Sequence, residues 1–257
     1  MSQEIHQIME SIEKPKISII MQSYLGDYPG SRVDSINKFR RAVKSFQNQL
    51  YKNCELIIVS DGCSKTHQIY TREFKNDPSI KFILVDKKDI PNMYETNNEG
   101  HKYYRGFPRR VGVGAATGDL ITYMDSDDFL LPEFTFTLIL MYNINTDMKW
   151  WINTKWYDNE AANWEDSPQL FSSDHSEDRE IEGLNGKWTE TRVKPGMAVM
   201  SPWLLMHKAD CTTKWRDTVE TSEDSDFNRR LRDTYKNGMV FDRPIYVRCH
   251  YRDLWDL

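Results

Sequence analysis

The chain has 257 residues, of which 39% are hydrophobic, 12% aromatic and 28% charged. Length and composition exclude disorder and a disulfide-stapled mini-fold, and suit one sizeable α/β domain or two small ones. With 34 Lys+Arg against 39 Asp+Glu the net charge is −5, which disfavours a globally basic nucleic-acid binder while leaving room for a local basic groove.

The opening stretch, MSQEIHQIMESIEKPK, is polar and lacks the apolar core of a signal peptide. Ile17 to Met21 follows Pro15 as a short apolar run, the pattern of a buried parallel strand. From Asp34 to Tyr51, the residues Ile36, Phe39, Val43, Phe46 and Leu50 recur at helical spacing. Glu55 to Val59 predicts a second strand running into Ser60-Asp61-Gly62. Thr66 to Phe74 predicts a helix, Ile80 to Val85 a third strand, and Leu120 to Met124 a fourth that runs into Asp125-Ser126-Asp127-Asp128. Strands alternating with helices at this spacing imply a parallel sheet covered by helices. In such sheets ligands bind beyond the carboxyl ends of the strands. Three polar clusters stand at those ends: Gln22-Ser23-Tyr24, Ser60-Asp61-Gly62 and Asp125-Ser126-Asp127-Asp128.

Gly112-Val113-Gly114 superficially matches a dinucleotide fingerprint, but no strand precedes it. A short helix closing at Gly118 as its C′ residue is expected instead. Upstream, His101, Lys102, Arg105, Arg109 and Arg110 interleave with Tyr103, Tyr104 and Phe107 as a basic cluster suited to an anion. The stretch from Asp86 to Tyr104 reads as a lid or acceptor loop.

The second half changes character. Six of the eight tryptophans, Trp150, Trp151, Trp156, Trp164, Trp188 and Trp203, lie in a weakly periodic stretch suited to stacking on sugars or bases. Ser222 to Asp233 then predicts a helix with Glu223, Asp224 and Asp226 in its first turn. Ile245 to His250 predicts a last strand. The four cysteines form no CxxC pair, which points to free thiols in a reducing compartment rather than a zinc site. No stretch reaches the ~20 apolar residues of a membrane span. The expected location is the cytoplasm, with any membrane contact peripheral at an inner face.

Three carboxylates within Asp125-Ser126-Asp127-Asp128 repel one another unless a cation is present, and hard divalent ions take carboxylates together with substrate phosphates. His250 could be a further metal ligand. One carboxylate of Glu223-Asp224-Ser225-Asp226 could serve as a general base.

Taken in order, these residues resemble family 2 glycosyltransferases of the GT-A fold over roughly residues 15 to 252. The resemblance is carried by Ile17 to Tyr24, Ser60-Asp61-Gly62-Cys63-Ser64, Arg109-Arg110-Val111-Gly112, Ala116-Thr117-Gly118-Asp119, Asp125 to Asp128, Glu223-Asp224 and Val247-Arg248-Cys249-His250. Gln22, Ser60 and Arg110 depart from the family's usual Pro, Asp and Asn. The resemblance implies a single GT-A domain over 1–257: a Rossmann-like, mostly parallel sheet flanked by helices. Residues 15–128 would form the nucleotide-sugar-binding half, and the Trp-rich 129–257 the acceptor-binding and catalytic-base half. It implies an inverting, Mn²⁺- or Mg²⁺-dependent transfer from a nucleotide-sugar, UDP-sugar favoured. Ser23, Tyr24, Asp61, Arg109, Asp125 and Ser126 would contact the donor, and Asp127 and His250 the metal. Asp224, with Glu223 beside it, would be the base. The acceptor is expected to be a glycan or lipid-linked saccharide. A hydroxymethylated base in DNA and a catalytically inactive sugar-binding module are the alternatives, and a nucleotidyltransferase is a further one.

Overall fold

The computed structural model describes residues 10–26, 34–86, 102–103, 106–153, 155–158, 169–172, 176–183, 186–193, 205–219 and 223–249. In chain order they form β1 (Ile17–Ser23), α1 (Ser35–Gln47), β2 (Cys54–Ser60), α2 (Ser64–Glu73), β3 (Ile80–Leu84), β4 (Lys102–Tyr103), α3 (Gly106–Ala115), β5 (Leu120–Asp125), β6 (Phe129–Leu130), α4 (Phe134–Ile144) and β7 (Trp150–Asn153). There follow β8 (Lys155–Asp158), β9 (Gln169–Ser172), β10 (Ser176–Gly183), β11 (Gly186–Val193), β12 (Leu205–Lys208), β13 (Thr218–Val219), α5 (Glu223–Thr234), β14 (Gly238–Phe241) and β15 (Tyr246–Arg248).

Seven strands make the central sheet in the order β14-β7-β12-β5-β1-β2-β3. Pairing is parallel throughout except at β12, which runs antiparallel to both β5 and β7. The fold class is therefore α/β with a mostly parallel sheet, as the alternation of elements predicts. β1 and β2 are apolar along most of their length because both faces are covered. Ile17, Ile19 and Met21 face one core with Phe39 and Val43 of α1 and Phe134 and Leu138 of α4. Ile20, Ile57, Val59 and Tyr123 face the other, with Phe227 and Leu231 of α5, and Phe107 and Val111 of α3 pack against it.

α3 lies close on β1 because position 112 carries no side chain: a Cβ there would sit 2.4 Å from Ile20 Cγ2. The helix opens at Gly106, well before Gly112 and Gly114, so the dinucleotide fingerprint is absent, as expected. The expected end at Gly118 is corrected. The helix stops at Ala115, and no left-handed backbone occurs at Gly118. Gly118 is instead a close-approach position, where a Cβ would meet Lys16 O and Ser18 N at 2.7 Å.

That approach belongs to a network at the amino ends of the strands. The buried Glu55 carboxylate accepts from Ser18 Oγ at 2.7 Å and Thr117 N at 2.7 Å, and pairs with Lys81 Nζ at 2.8 Å. Burial pushes this carboxyl up, but Lys81, Ser18 and Thr117 outweigh it and hold it at about 2.

The expectation of a Trp-rich surface is corrected in part. Trp150 and Trp151 are core residues of β7, their indole N–H groups donating to Tyr235 O and Met141 O. Trp156 and Trp188 lie in β8 and β11, and Trp164 and Trp203 lie outside the described residues. The expected lid falls almost wholly outside them too, apart from β4, which pairs with β13. All four cysteines are free. Among the described residues no helix is long and apolar enough to cross a membrane.

Candidate active site

The carboxyl ends of β2, β1 and β5 lie side by side, Ser23 in register with Ser60 and Gln22 with Asp125. The three polar clusters thus share one edge. Asp61 N–H donates to Ser23 O at 3.0 Å, fixing the turn after β2 against the end of β1. The Ser23 hydroxyl is buried and has no hydrogen-bond partner among the described residues. A buried polar group without a partner costs roughly 1–3 kcal/mol, so it marks a place where a ligand group gains by arriving. Tyr24 and Asp61 beside it are partly exposed.

After β5 the chain turns over Asp125 to Asp128, with Asp128 N–H donating to Asp125 O at 3.3 Å. The turn is held from two sides. Arg41 of α1 donates to Asp127 O at 2.8 Å. Buried Asp128 accepts the Tyr246 hydroxyl at 2.8 Å and Cys249 N–H at 2.7 Å, while the same hydroxyl accepts Asp125 N–H at 3.1 Å. Asp128 is therefore a structural clamp rather than an open ligand. Asp127, the expected metal ligand, is partly exposed, and so are Asp125 and Ser126. Among the described residues no three His, Cys, Asp or Glu side chains converge into a closed metal cage. A hard divalent ion that completes its shell with substrate phosphates needs no such cage. His250 lies outside the described residues.

The acidic start of α5 meets α3 and β5 through Arg109. Its guanidinium NH1 lies 2.6 Å from Asp224 Oδ1 and 3.0 Å from Glu223 Oε1, and its NH2 is 3.6 Å from Asp125 Oδ1. The guanidinium sits 4.9 Å over the Trp215 ring, which itself stacks on Phe227 at 4.1 Å. Burial pushes the Asp224 carboxyl up to about 7; Arg109 pulls it down, while Glu223 and Asp125 push with burial. A carboxylate that titrates near neutral pH has the property of a general base. Asp226 is engaged elsewhere. Buried and paired with Arg230 at 2.7 Å and Arg229 at 3.3 Å, it holds the first turn of α5.

The basic cluster is divided by the structure. Arg109 is buried among carboxylates, whereas Arg110 reaches Asp217 at 2.7 Å and Phe107. His101 and Arg105 lie outside the described residues, as does the side chain of Lys102.

One part of the surroundings carried no motif. Trp215 Nε1 donates to the Tyr123 hydroxyl at 2.9 Å, and that hydroxyl lies 2.8 Å from His207 Nε2. His207 Nδ1 lies 2.9 Å from Lys208 O, which only accepts. Nδ1 therefore carries the proton, and Tyr123 donates to Nε2. Burial lowers His207 to about 4, so the relay is built on the neutral ring.

No family model matches the chain. It is 32% identical over 122 residues to an uncharacterized glycosyltransferase of Haemophilus influenzae, covering 46% of this chain and 39% of that protein. It is 28% identical over 130 residues to the GalNAc(5)-diNAcBac-PP-undecaprenol beta-1,3-glucosyltransferase of Campylobacter jejuni, covering 50% of this chain and 35% of that one. The chain thus spans under two fifths of either relative's length. In three dimensions it matches S. aureus TarS 1–349 in complex with UDP-GlcNAc, with a TM-score of 0.62 at 18% identity over 93% of this chain and 59% of that one. The fold is that of the GT-A glycosyltransferases.

Proposed function

We propose that the protein is an inverting, metal-dependent glycosyltransferase of the family 2 type, moving a sugar from a UDP-sugar to a hydroxyl of a glycan or lipid-linked saccharide. The observation that carries the reading is the meeting of Asp224, poised near neutral pH, with the Asp125 end of the acidic turn through Arg109. A base and a donor-side acidic turn joined in this way are the two halves of a glycosyl-transfer site. The named relatives support the reaction type, and the UDP-GlcNAc complex of TarS supports the donor class.

In this reading Asp61 faces the nucleobase, while Ser23, Tyr24, Asp125 and Ser126 line the donor. The acceptor O–H gives its proton to Asp224, and its oxygen attacks the anomeric carbon from the face opposite the leaving group. The bond from that carbon to the diphosphate oxygen breaks with its electron pair, so the configuration inverts. Asp127, with His250, would hold Mn²⁺ or Mg²⁺, which supplies neutralisation of the charge developing on the diphosphate.

The lipid-linked acceptor is favoured over DNA because the Campylobacter relative is named for a polyprenol-linked saccharide. Neither relative's name points to DNA. An inactive module would have no use for a carboxyl tuned like Asp224.

The test is a donor panel. Purified protein with Mn²⁺ is incubated with UDP-, GDP- and CMP-sugars, and release of the nucleotide is measured. Hydrolysis confined to UDP-sugars supports the reading; turnover of none of them ends it.

A further inference from the structure

Arg109 was expected at the donor pyrophosphate, and its surroundings argue for another duty. The side chain is buried on α3. One of its nitrogens is committed to two carboxylates at the start of α5, and the other faces Asp125 at the end of β5. The Trp215 ring packs on its face. A guanidinium is planar and rigid, so holding both Glu223 and Asp224 on NH1 fixes the orientation of each carboxylate.

We infer that Arg109 is a positioning residue, which holds Asp224 for proton abstraction and makes no contact with the donor. This rests on the reading of Asp224 as the base. Among the described residues the charged groups facing Asp224 are Arg109 from α3, Glu223 from its own helix and Asp125 from β5. Arg109 thus serves three acids. Without it, two anionic neighbours and burial all favour the protonated form of Asp224, and the base is lost at neutral pH. Arg109 therefore decides the pH range over which the base works.

The experiment compares wild type, Arg109→Met, Glu223→Gln and Asp224→Asn. Turnover is measured as hydrolysis of a UDP-sugar in Mn²⁺, where water gives its proton to Asp224, and UDP affinity is measured by calorimetry in Mn²⁺. Arg109→Met removes the cation, so the acid limb of the rate profile should move to higher pH by at least one unit, with UDP affinity within about twofold of wild type. Glu223→Gln removes one competing anion, so the limb should move to lower pH. If thermal melts show Arg109→Met unfolded, the Glu223→Gln profile decides alone. Unmoved limbs in both folded variants overturn the inference. So does a tenfold loss of UDP affinity in Arg109→Met, which would return Arg109 to the donor. A near-wild-type rate in Asp224→Asn removes the base reading itself; a dead Asp224→Asn with unmoved limbs elsewhere removes only the role of Arg109.

Discussion

The Tyr246 hydroxyl donates to the buried Asp128 carboxylate at 2.8 Å and accepts the Asp125 N–H at 3.1 Å. One phenol from β15 therefore fastens both ends of the acidic turn that follows β5. Tyr246→Phe leaves the ring in place and removes both bonds. The buried carboxylate then loses its hydroxyl donor and keeps only the Cys249 N–H of the pair, and the Asp125 amide loses the hydroxyl as acceptor, so a loss of about 1–3 kcal/mol is expected. Urea denaturation of the pair of proteins measures it, and an unchanged midpoint would mean that the clamp contributes nothing.

Asp224 should control the rate below neutrality. Its carboxyl is pushed up to about 7 by burial, and only the ionised form accepts a proton. Turnover is expected to level off above about pH 7 and to fall about tenfold per unit below it. Asp224→Asn should fold and bind UDP but lose roughly 10²–10⁴ in turnover, the usual share of general-base catalysis. Single-turnover rates across pH 5 to 9 check both statements.

Metal removal should stop the reaction. Excess EDTA is expected to abolish turnover, with Mn²⁺ restoring it. Asp127→Ala should weaken UDP binding in Mn²⁺ while leaving in place the bond from Arg41 to the backbone carbonyl of residue 127. Full activity in EDTA would contradict the proposed role of the acidic turn.

Stability should decline on the acid side for a reason unrelated to catalysis. Burial holds folded His207 neutral to about 4, whereas the unfolded ring titrates near 6.5. Its folded pKa is depressed, so the stabilisation is complete above about 6.5 and is lost as pH falls toward 4. At about 1.4 kcal/mol per pH unit the loss is roughly 3 kcal/mol. Glu55 adds a second loss, from about 4.5 down to about 2. Denaturation of wild type and His207→Gln at pH 7 and pH 4.5 separates the two, since the variant should lack the first decline.

Gly112→Ala should destabilise the packing of α3 on β1. A Cβ 2.4 Å from Ile20 Cγ2 forces α3 off β1, an overpacking cost of about 1–3 kcal/mol. A variant as stable as wild type would show that the helix can shift freely.

The first half of the fold was legible because its signals are local. β1, β2 and β5 are apolar runs covered on both faces, and Phe39, Val43 and Phe46 repeat at helical spacing on α1. β7 and β12 were not legible. Each has four residues, and Trp151 is buried by pairing with Met206, far along the chain. Trp150 and Trp151, read as part of a sugar platform, are core for that reason. At the site, Asp125, Arg109, Glu223 and Asp224 were each visible as polar residues at element ends. That Arg109 joins them could not be read, since Arg109 and Asp224 are 115 residues apart and only tertiary packing brings them together. Asp128 looked like one more acid of the cluster; its partners Tyr246 and Cys249 are more than a hundred positions away. His207 carried no motif, and only its neighbours Tyr123 and Lys208 reveal its tautomer.

The reversed strand β12 has a consequence for dissecting the molecule. Its ladder to β5 runs from Met206↔Thr122 to Lys208↔Leu120, so the far half of the chain closes the flank of the near half. A fragment ending after the acidic turn would carry every donor-side residue on β1, β2 and β5, yet leave a long apolar strand bare along one side. Bare edges of that kind recruit other chains. Such a truncation is a recipe for aggregates rather than a minimal nucleotide-binding unit. Chimeras that exchange acceptor specificity will stay soluble only if the transplanted piece brings its own β12, with β7 and β14 behind it.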